Sequence, residues 1–239
     1  MSETAIYLAF CPVASNPELD FLAMRLHPEV KARLERFRNS EHRNQAILGR
    51  ALLGVALLEL GARLELRDLG YAPGGGPLMP LGYYGSISHT DGVVGAVASQ
   101  TGPVGLDLEH RWHSFDVAET AFGREPCDHH HSDPCDCSVR AWVALEATAK
   151  AAARPLSEIQ CSILRDREER LGITTWSVKT LALVDGMFAA IAASYPVLTV
   201  ATVWFTPREL SNVLRRYTFT VSRGDDGARD QQSDQFCSN

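Results

Sequence analysis

Three short stretches carry residues whose types and spacing could do chemistry. In Val104-Gly-Leu-Asp-Leu-Glu109, two carboxylates stand two residues apart. Residues i and i+2 of a strand share a face, so Asp107 and Glu109 point one way while Leu106 and Leu108 face a core. Like charges this close repel unless a proton or a cation lies between them. Paired hard oxygens suit Mg²⁺, which takes one or two carboxylates and completes its shell with phosphate and water. An isolated pair of this kind is equally the solvated face of an edge strand. In Trp142-Val-Ala-Leu-Glu146-Ala-Thr-Ala-Lys150, a spacing of four puts Trp142, Glu146 and Lys150 on one helical stripe, with Glu N-terminal to Lys. That pattern is either a site element or a surface ion pair of about 0.3–0.5 kcal/mol. In Gly85-Ser-Ile-Ser-His89, a histidine beside small hydroxyl residues can hold a phosphate through its ring and nearby backbone N–H groups, or can simply cap a turn.

A basic stretch supplements these three. Arg25–Arg50 holds seven Lys or Arg against three Glu, as a solvated helix face or as the anion-attracting wall of a site. Lysine is scarce: only Lys31, Lys150 and Lys179 stand among the 23 Lys and Arg. Lys150 is therefore conspicuous.

The elements that must position these residues can be read from periodicity and turn chemistry. Thr4–Cys11 is a short apolar run expected to form an edge strand. Pro28–Phe37 has helical composition with Pro in its first turn. Ser40 is expected to cap a second helix through Leu60, in which Ile47, Leu48, Leu52, Val55 and Leu58 recur at helical spacing before Gly61. Proline and glycine forbid regular structure in much of Leu64–Gly82. Strands follow at Gly85–His89, Val93–Ser99 and Val104–Glu109, the first two joined by a hairpin turn at Thr90-Asp91-Gly92. Ser138–Ala153 reads as an Ala-rich helix stopped by Pro155. Thr175–Val184 and Met187–Ser194 flank a hairpin signal at Asp185-Gly186, Val197–Phe205 adds a strand, and Pro207–Arg216 an amphipathic helix. Helix followed by hairpin in both halves suggests two similar α+β lobes with a boundary near Gly102.

The 239 residues suit one large domain or two small ones, and 45% hydrophobic content is enough for a core without metal or disulfide staples. A net charge of -6 argues against a general nucleic-acid binder. The N-terminal residues lack the pattern of a signal peptide, and the apolar stretch Thr180–Phe205 is broken by Asp185-Gly186 and Tyr195-Pro196, as strands are and membrane spans are not. Six cysteines, scattered except for one cluster and without a secretory context, suggest a reducing cytoplasm.

Taken in order, the motifs resemble the 4′-phosphopantetheinyl transferase superfamily, on the enterobactin synthetase component D side. That pattern is G-R near the end of an N-terminal helix, then P-x-x-P-x-G-x-x-G-S-I-S-H, V-G-I-D-I-E and W-x-x-K-E-x-x-x-K. Matching it are Gly49-Arg50, Pro77 through His89, Val104 through Glu109, and Trp142 through Lys150. The resemblance covers roughly residues 40–195 and implies a pseudo-dimeric α+β fold, each lobe a small antiparallel sheet packed with helices. Residues 1–102 would form the N-terminal lobe with the nucleotide contacts, 103–206 the lobe with metal and catalytic residues, and 207–239 a C-terminal helix and polar tail.

The resemblance further implies a cytoplasmic, monomeric, Mg²⁺-dependent enzyme, with Mn²⁺ as a substitute. It would move phosphopantetheine from coenzyme A to a serine of an acyl or peptidyl carrier protein. Asp107, Glu109 and Glu146 would hold the metal. Glu146 would be, or position, the base, and Lys150 would bind the phosphates and stabilise departing 3′,5′-ADP. His89, Arg50 and Arg43, with Ser88, Asp107 and Lys150, would contact coenzyme A. The helix ending at Leu60 and the loop at 124–137 are the surfaces expected to meet the carrier protein. Two positions depart from the pattern: Leu145 stands where a lysine is expected, and Gly76 where a basic residue is usual. Each would remove a cation from the phosphates. The insert Cys127-Asp-His-His-His-Ser-Asp-Pro-Cys135-Asp-Cys137 matches no common zinc spacing and reads as a polar loop. The rival readings are a homologue that binds coenzyme A or carrier protein without transfer, and an interaction module holding a metal in that insert.

Overall fold

The computed structural model describes residues 5–13, 17–111, 136–159, 176–183, 186–195 and 199–224. Its elements are β1 (Ala5–Pro12), α1 (Glu18–Arg25), α2 (Pro28–Leu34), α3 (Ser40–Glu59), a 3₁₀ turn at Leu66–Asp68, β2 (Tyr84–Thr90), β3 (Val93–Ser99), β4 (Val104–His110), α4 (Asp136–Ala152), β5 (Ser177–Ala182), β6 (Met187–Ala193), β7 (Thr199–Trp204) and α5 (Pro207–Gly224).

Local chemistry accounts for most of these boundaries. The Asn39 side chain accepts the Glu41 N–H at 2.8 Å, so the cap of α3 lies one residue before the expected Ser40, which is already helical. Its apolar residues recur densely enough that every residue from Ile47 to Leu58 is buried. Helix α1 was not anticipated: Pro17 at its N-cap makes no side-chain hydrogen bond, and eight residues hold little periodicity. The β2–β3 hairpin turns on Asp91-Gly92, with Thr90 opposite Val93 and Gly92 at φ +73°. Only glycine adopts that conformation without strain, which explains the turn residue.

Two sheets result, with strand orders β2-β3-β1-β7 and β4-β6-β5. All pairings are antiparallel except β1 with β7, where Ala5 to Phe10 run parallel to Thr199 to Trp204. One expectation changes here. The Thr4–Cys11 segment is an interior strand rather than an edge, because β7 covers its far side. Strand β7 thereby completes the first sheet, and α5 packs on α3 and α1. Neither pairing has a local signal, since the partners lie at opposite ends of the chain.

Helix α3 lies on the outer face of the first sheet and α4 on the outer face of the second. The inner faces share one apolar cluster: Phe10 and Val97 from the first sheet meet Leu106, Leu108 and Ile191 from the second. The architecture is mixed α+β with small, mainly antiparallel sheets. Among the described residues no helix is long and apolar enough to cross a membrane.

Candidate functional site

Strand β2 is the outer strand of the first sheet and β4 the outer strand of the second, and the two meet along their length. They are joined by side-chain hydroxyls. Ser88 Oγ donates to Asp107 Oδ1 at 3.0 Å, and Thr90 Oγ1 donates to Glu109 Oε1 at 3.2 Å. Ser88 Oγ also accepts the backbone N–H of Leu108 at 3.2 Å. Ser86, Ser88 and Thr90 all occupy the buried face of β2, so hydroxyls two residues apart match carboxylates two residues apart.

Helix α4 brings the remaining groups. Its side chains Val139, Trp142, Val143, Ala147 and Ala151 pack on Phe188, Ala190 and Ala192 of β6. Gly105 of β4 lies so close beneath α4 that a Cβ there would stand 2.5 Å from Ala151 N and nearer still to Ala147 O. Asp107 is the next residue on that face of β4, while Glu146 and Lys150 immediately precede Ala147 and Ala151. The close approach therefore sets the three ionisable groups together. Lys150 Nζ lies 2.6 Å from Asp107 Oδ1, 3.1 Å from Ser88 Oγ and 3.7 Å from Glu146 Oε2.

The electrostatics follow from burial. Asp107 is only 4% exposed, and its charge is balanced by Lys150 and the Ser88 hydroxyl. Glu146 is pushed up to about 7, first by burial and next by the Asp107 charge, against the downward pull of Lys150. Two carboxylates compete here for one ammonium ion, so a proton or a second cation is favoured. His89 is held below its usual range, first by desolvation and next by the Lys150 charge.

Not every expected residue joins the cluster. Glu109 shares the face of Asp107 but engages Thr90 and the His110 N–H, the latter at 2.8 Å. Among the described residues no three His, Cys, Asp or Glu side chains form a ready metal cage. His89 lies on the opposite face of β2 from Ser88, the face on which Ile87 meets Gly49 of α3. Arg43 pairs with Asp20 at 3.9 Å. Arg50 is buried, its guanidinium 4.5 Å from the centre of the Tyr71 ring, which Arg33 also overlies at 4.9 Å. Tyr71 lines a cavity of about 580 Å³ with Arg33, Arg36 and Phe37. Burial lowers the Arg50 pKa, and its Nη1 has no hydrogen-bond partner among the described residues.

The two departures from the pattern sit in unlike surroundings. Leu145 is 2% exposed and packs on Ala149 and Ile159, so its side chain belongs to the core. Gly76 is in an exposed loop with open space where a side chain would begin. The Cys127–Cys135 part of the insert and the loop at 124–135 lie outside the described residues, as do the side chains of residues 136–138.

Sequence reasoning missed Thr90, Gln45 and Tyr71. For Thr90 the signal was present: Ser88 and Thr90 repeat the two-residue spacing of Asp107 and Glu109. Gln45 and Tyr71 had none, because their roles depend on non-local packing. A scan against protein-family models finds no match to this chain, and no curated protein proves similar to it.

Proposed function

We propose that the protein is a 4′-phosphopantetheinyl transferase built as two related lobes, moving the phosphopantetheine arm of coenzyme A to a carrier-protein serine. The observation that supports this reading most strongly is the convergence of Asp107 and Glu146 on Lys150, with Ser88 bridging Asp107 and Lys150 at the junction of the two sheets, although the two motifs are separate in the sequence. Independent structural roles would not require a buried acid, a half-buried acid of raised pKa and a scarce lysine to meet.

The donor set fits Mg²⁺ or Mn²⁺. Asp107 and Glu146 provide hard oxygens whose mutual repulsion a divalent cation would relieve, with Glu109 alongside on the same strand face. Such an ion, when bound, neutralises charge on the pyrophosphate. Glu146, once ionised, accepts the proton of the carrier serine as its oxygen attacks the phosphorus bearing the pantetheine arm. The bond from that phosphorus to the bridging oxygen breaks, and 3′,5′-ADP leaves with the bonding electrons. Lys150 stabilises the negative charge that develops there. Arg33, Arg36 and Arg50 around Tyr71 supply cations for the nucleotide end.

Most of α3 is buried, so the surface it can offer an acidic carrier protein is its first turn, where Ser40, Glu41 and His42 are exposed and the partly exposed Arg43 supplies the cation. This reading carries with it a cytoplasmic monomer. The test is to incubate the protein with Mg²⁺, coenzyme A and an apo carrier protein and weigh the carrier. Addition of the phosphopantetheine mass, lost in Glu146→Gln, is expected. Coenzyme A binding without added mass across several carriers would favour the non-transferring homologue, and no binding at all would remove the reading.

A further inference from the structure

The two hydroxyl–carboxylate pairs between β2 and β4 have the same register, Ser88 with Asp107 and Thr90 with Glu109, each separated by 19 residues. Asp107 needs no other support, since Lys150 lies against it at 2.6 Å. Glu109 has a longer side chain with three rotatable bonds, at the end of an outer strand. It would sample several rotamers unless something held it. Two donors converge on its Oε1: Thr90 Oγ1 at 3.2 Å and the His110 N–H at 2.8 Å.

Thr90 is itself fixed. It is 7% exposed, its carbonyl accepts from Gln45 Nε2 at 3.4 Å, and the next carbonyl, of Asp91, lies 3.1 Å from His110 Nε2. Its β-branched side chain is stiff at χ1, so the hydroxyl direction is set by the strand. The tip of the first sheet's hairpin and the end of β4 are thus tied by two polar contacts, Thr90 with the Glu109 carboxylate and the Asp91 carbonyl with His110 Nε2. A buried hydroxyl placed only for packing would not face an acid in register with a second such pair.

We infer that Thr90 is a positioning residue that fixes the Glu109 carboxylate for a divalent cation, so that the β2–β4 junction sets the metal-binding geometry. The inference rests on the transferase reading for the metal and on the Thr90–Glu109 geometry for the positioning. Groups that orient a ligating carboxylate are worth about 10–100-fold in metal affinity.

The test compares Thr90→Val, Thr90→Ser and Glu109→Gln with the parent chain, measuring Mn²⁺ affinity from the electron paramagnetic resonance of the free ion and thermal stability alongside. Thr90→Val keeps the shape and removes the hydroxyl. It is expected to weaken Mn²⁺ binding about tenfold or more, while Thr90→Ser stays within about threefold of the parent. Unchanged affinity in Thr90→Val, or equal weakening in Thr90→Ser, overturns the inference. A parent chain that binds no Mn²⁺ defeats the metal reading instead. The positioning claim is then decided by the Glu109 carboxyl ¹³C resonance, assigned through Glu109→Gln. Movement in Thr90→Val with restoration in Thr90→Ser upholds the positioning, and an unmoved resonance overturns it.

Discussion

Gly105 of β4 and Ala147 of α4 touch backbone to backbone, with no room between them for a single methyl group. Strand and helix therefore sit closer than side-chain packing would normally allow. Asp107 and the Glu146–Lys150 pair inherit that closeness, because each lies one step from the contact.

Gly105→Ala is expected to destabilise the fold by roughly 3 kcal/mol, the upper end of ordinary overpacking costs, because the obstacle is backbone and cannot rotate away. Urea denaturation measures this. A loss below about 1 kcal/mol would mean that α4 retreats freely from β4.

The raised pKa of Glu146 makes stability depend on pH in a direction opposite to that of a paired carboxylate. Its value of about 7 in the folded chain lies above its ordinary 4.5, so between those values the folded state holds the extra proton. The contribution is present in full below 4.5 and is lost as pH rises through 7. Glu146→Gln removes this dependence. Relative to the parent, the variant is expected to gain roughly 1 kcal/mol or more between pH 5 and pH 8 in denaturation at matched ionic strength. A difference that stays flat over that range would show the carboxyl to be ordinary.

Leu145 stands where the resemblance calls for lysine, and a simple reading would restore the cation to raise activity. Its burial against Ala149 and Ile159 argues otherwise. Leu145→Lys is expected to cost about 2 kcal/mol or more, because an ammonium ion would enter an apolar cluster without a partner. A variant of parental melting temperature would show that the longer side chain escapes to solvent.

Arg50 is buried with Nη1 unpaired among the described residues, an arrangement that stability alone does not favour. Arg50→Leu gives up the stacking on Tyr71 but also the cost of a buried charge, and should lie within about 1 kcal/mol of the parent. Coenzyme A affinity, measured by calorimetry, is expected to fall at least about tenfold. A large loss of stability with unaltered binding would make Arg50 a structural residue.

Local signals explain how much of this was legible. The Asp91-Gly92 turn, the Asp107–Glu109 strand and the Trp142–Lys150 helix could each be read within a few residues, since spacing alone assigns their faces. The meeting of Asp107 with Lys150 lies at a separation of 43 residues, and only the motif order hinted at it. Position within a sheet was not legible: nothing in Thr4–Cys11 says that Thr199–Trp204 will cover it. Leu145 shows a further limit. Read as a missing cation, it is in three dimensions a packed apolar side chain, because one residue along a helix rotates the direction by about 100°.

The parallel pairing of β1 with β7 bears on how the chain is made. Residues 5–10 leave the ribosome almost two hundred residues ahead of their partners at 199–204. Until then β1 offers an open row of backbone donors and acceptors, the kind of surface on which nascent chains pair wrongly with one another. A fragment ending before residue 199 would carry that exposure permanently. Expression trials that trim the C-terminal region should therefore lose solubility abruptly once β7 is cut, long before any residue of the Asp107–Lys150 cluster is touched.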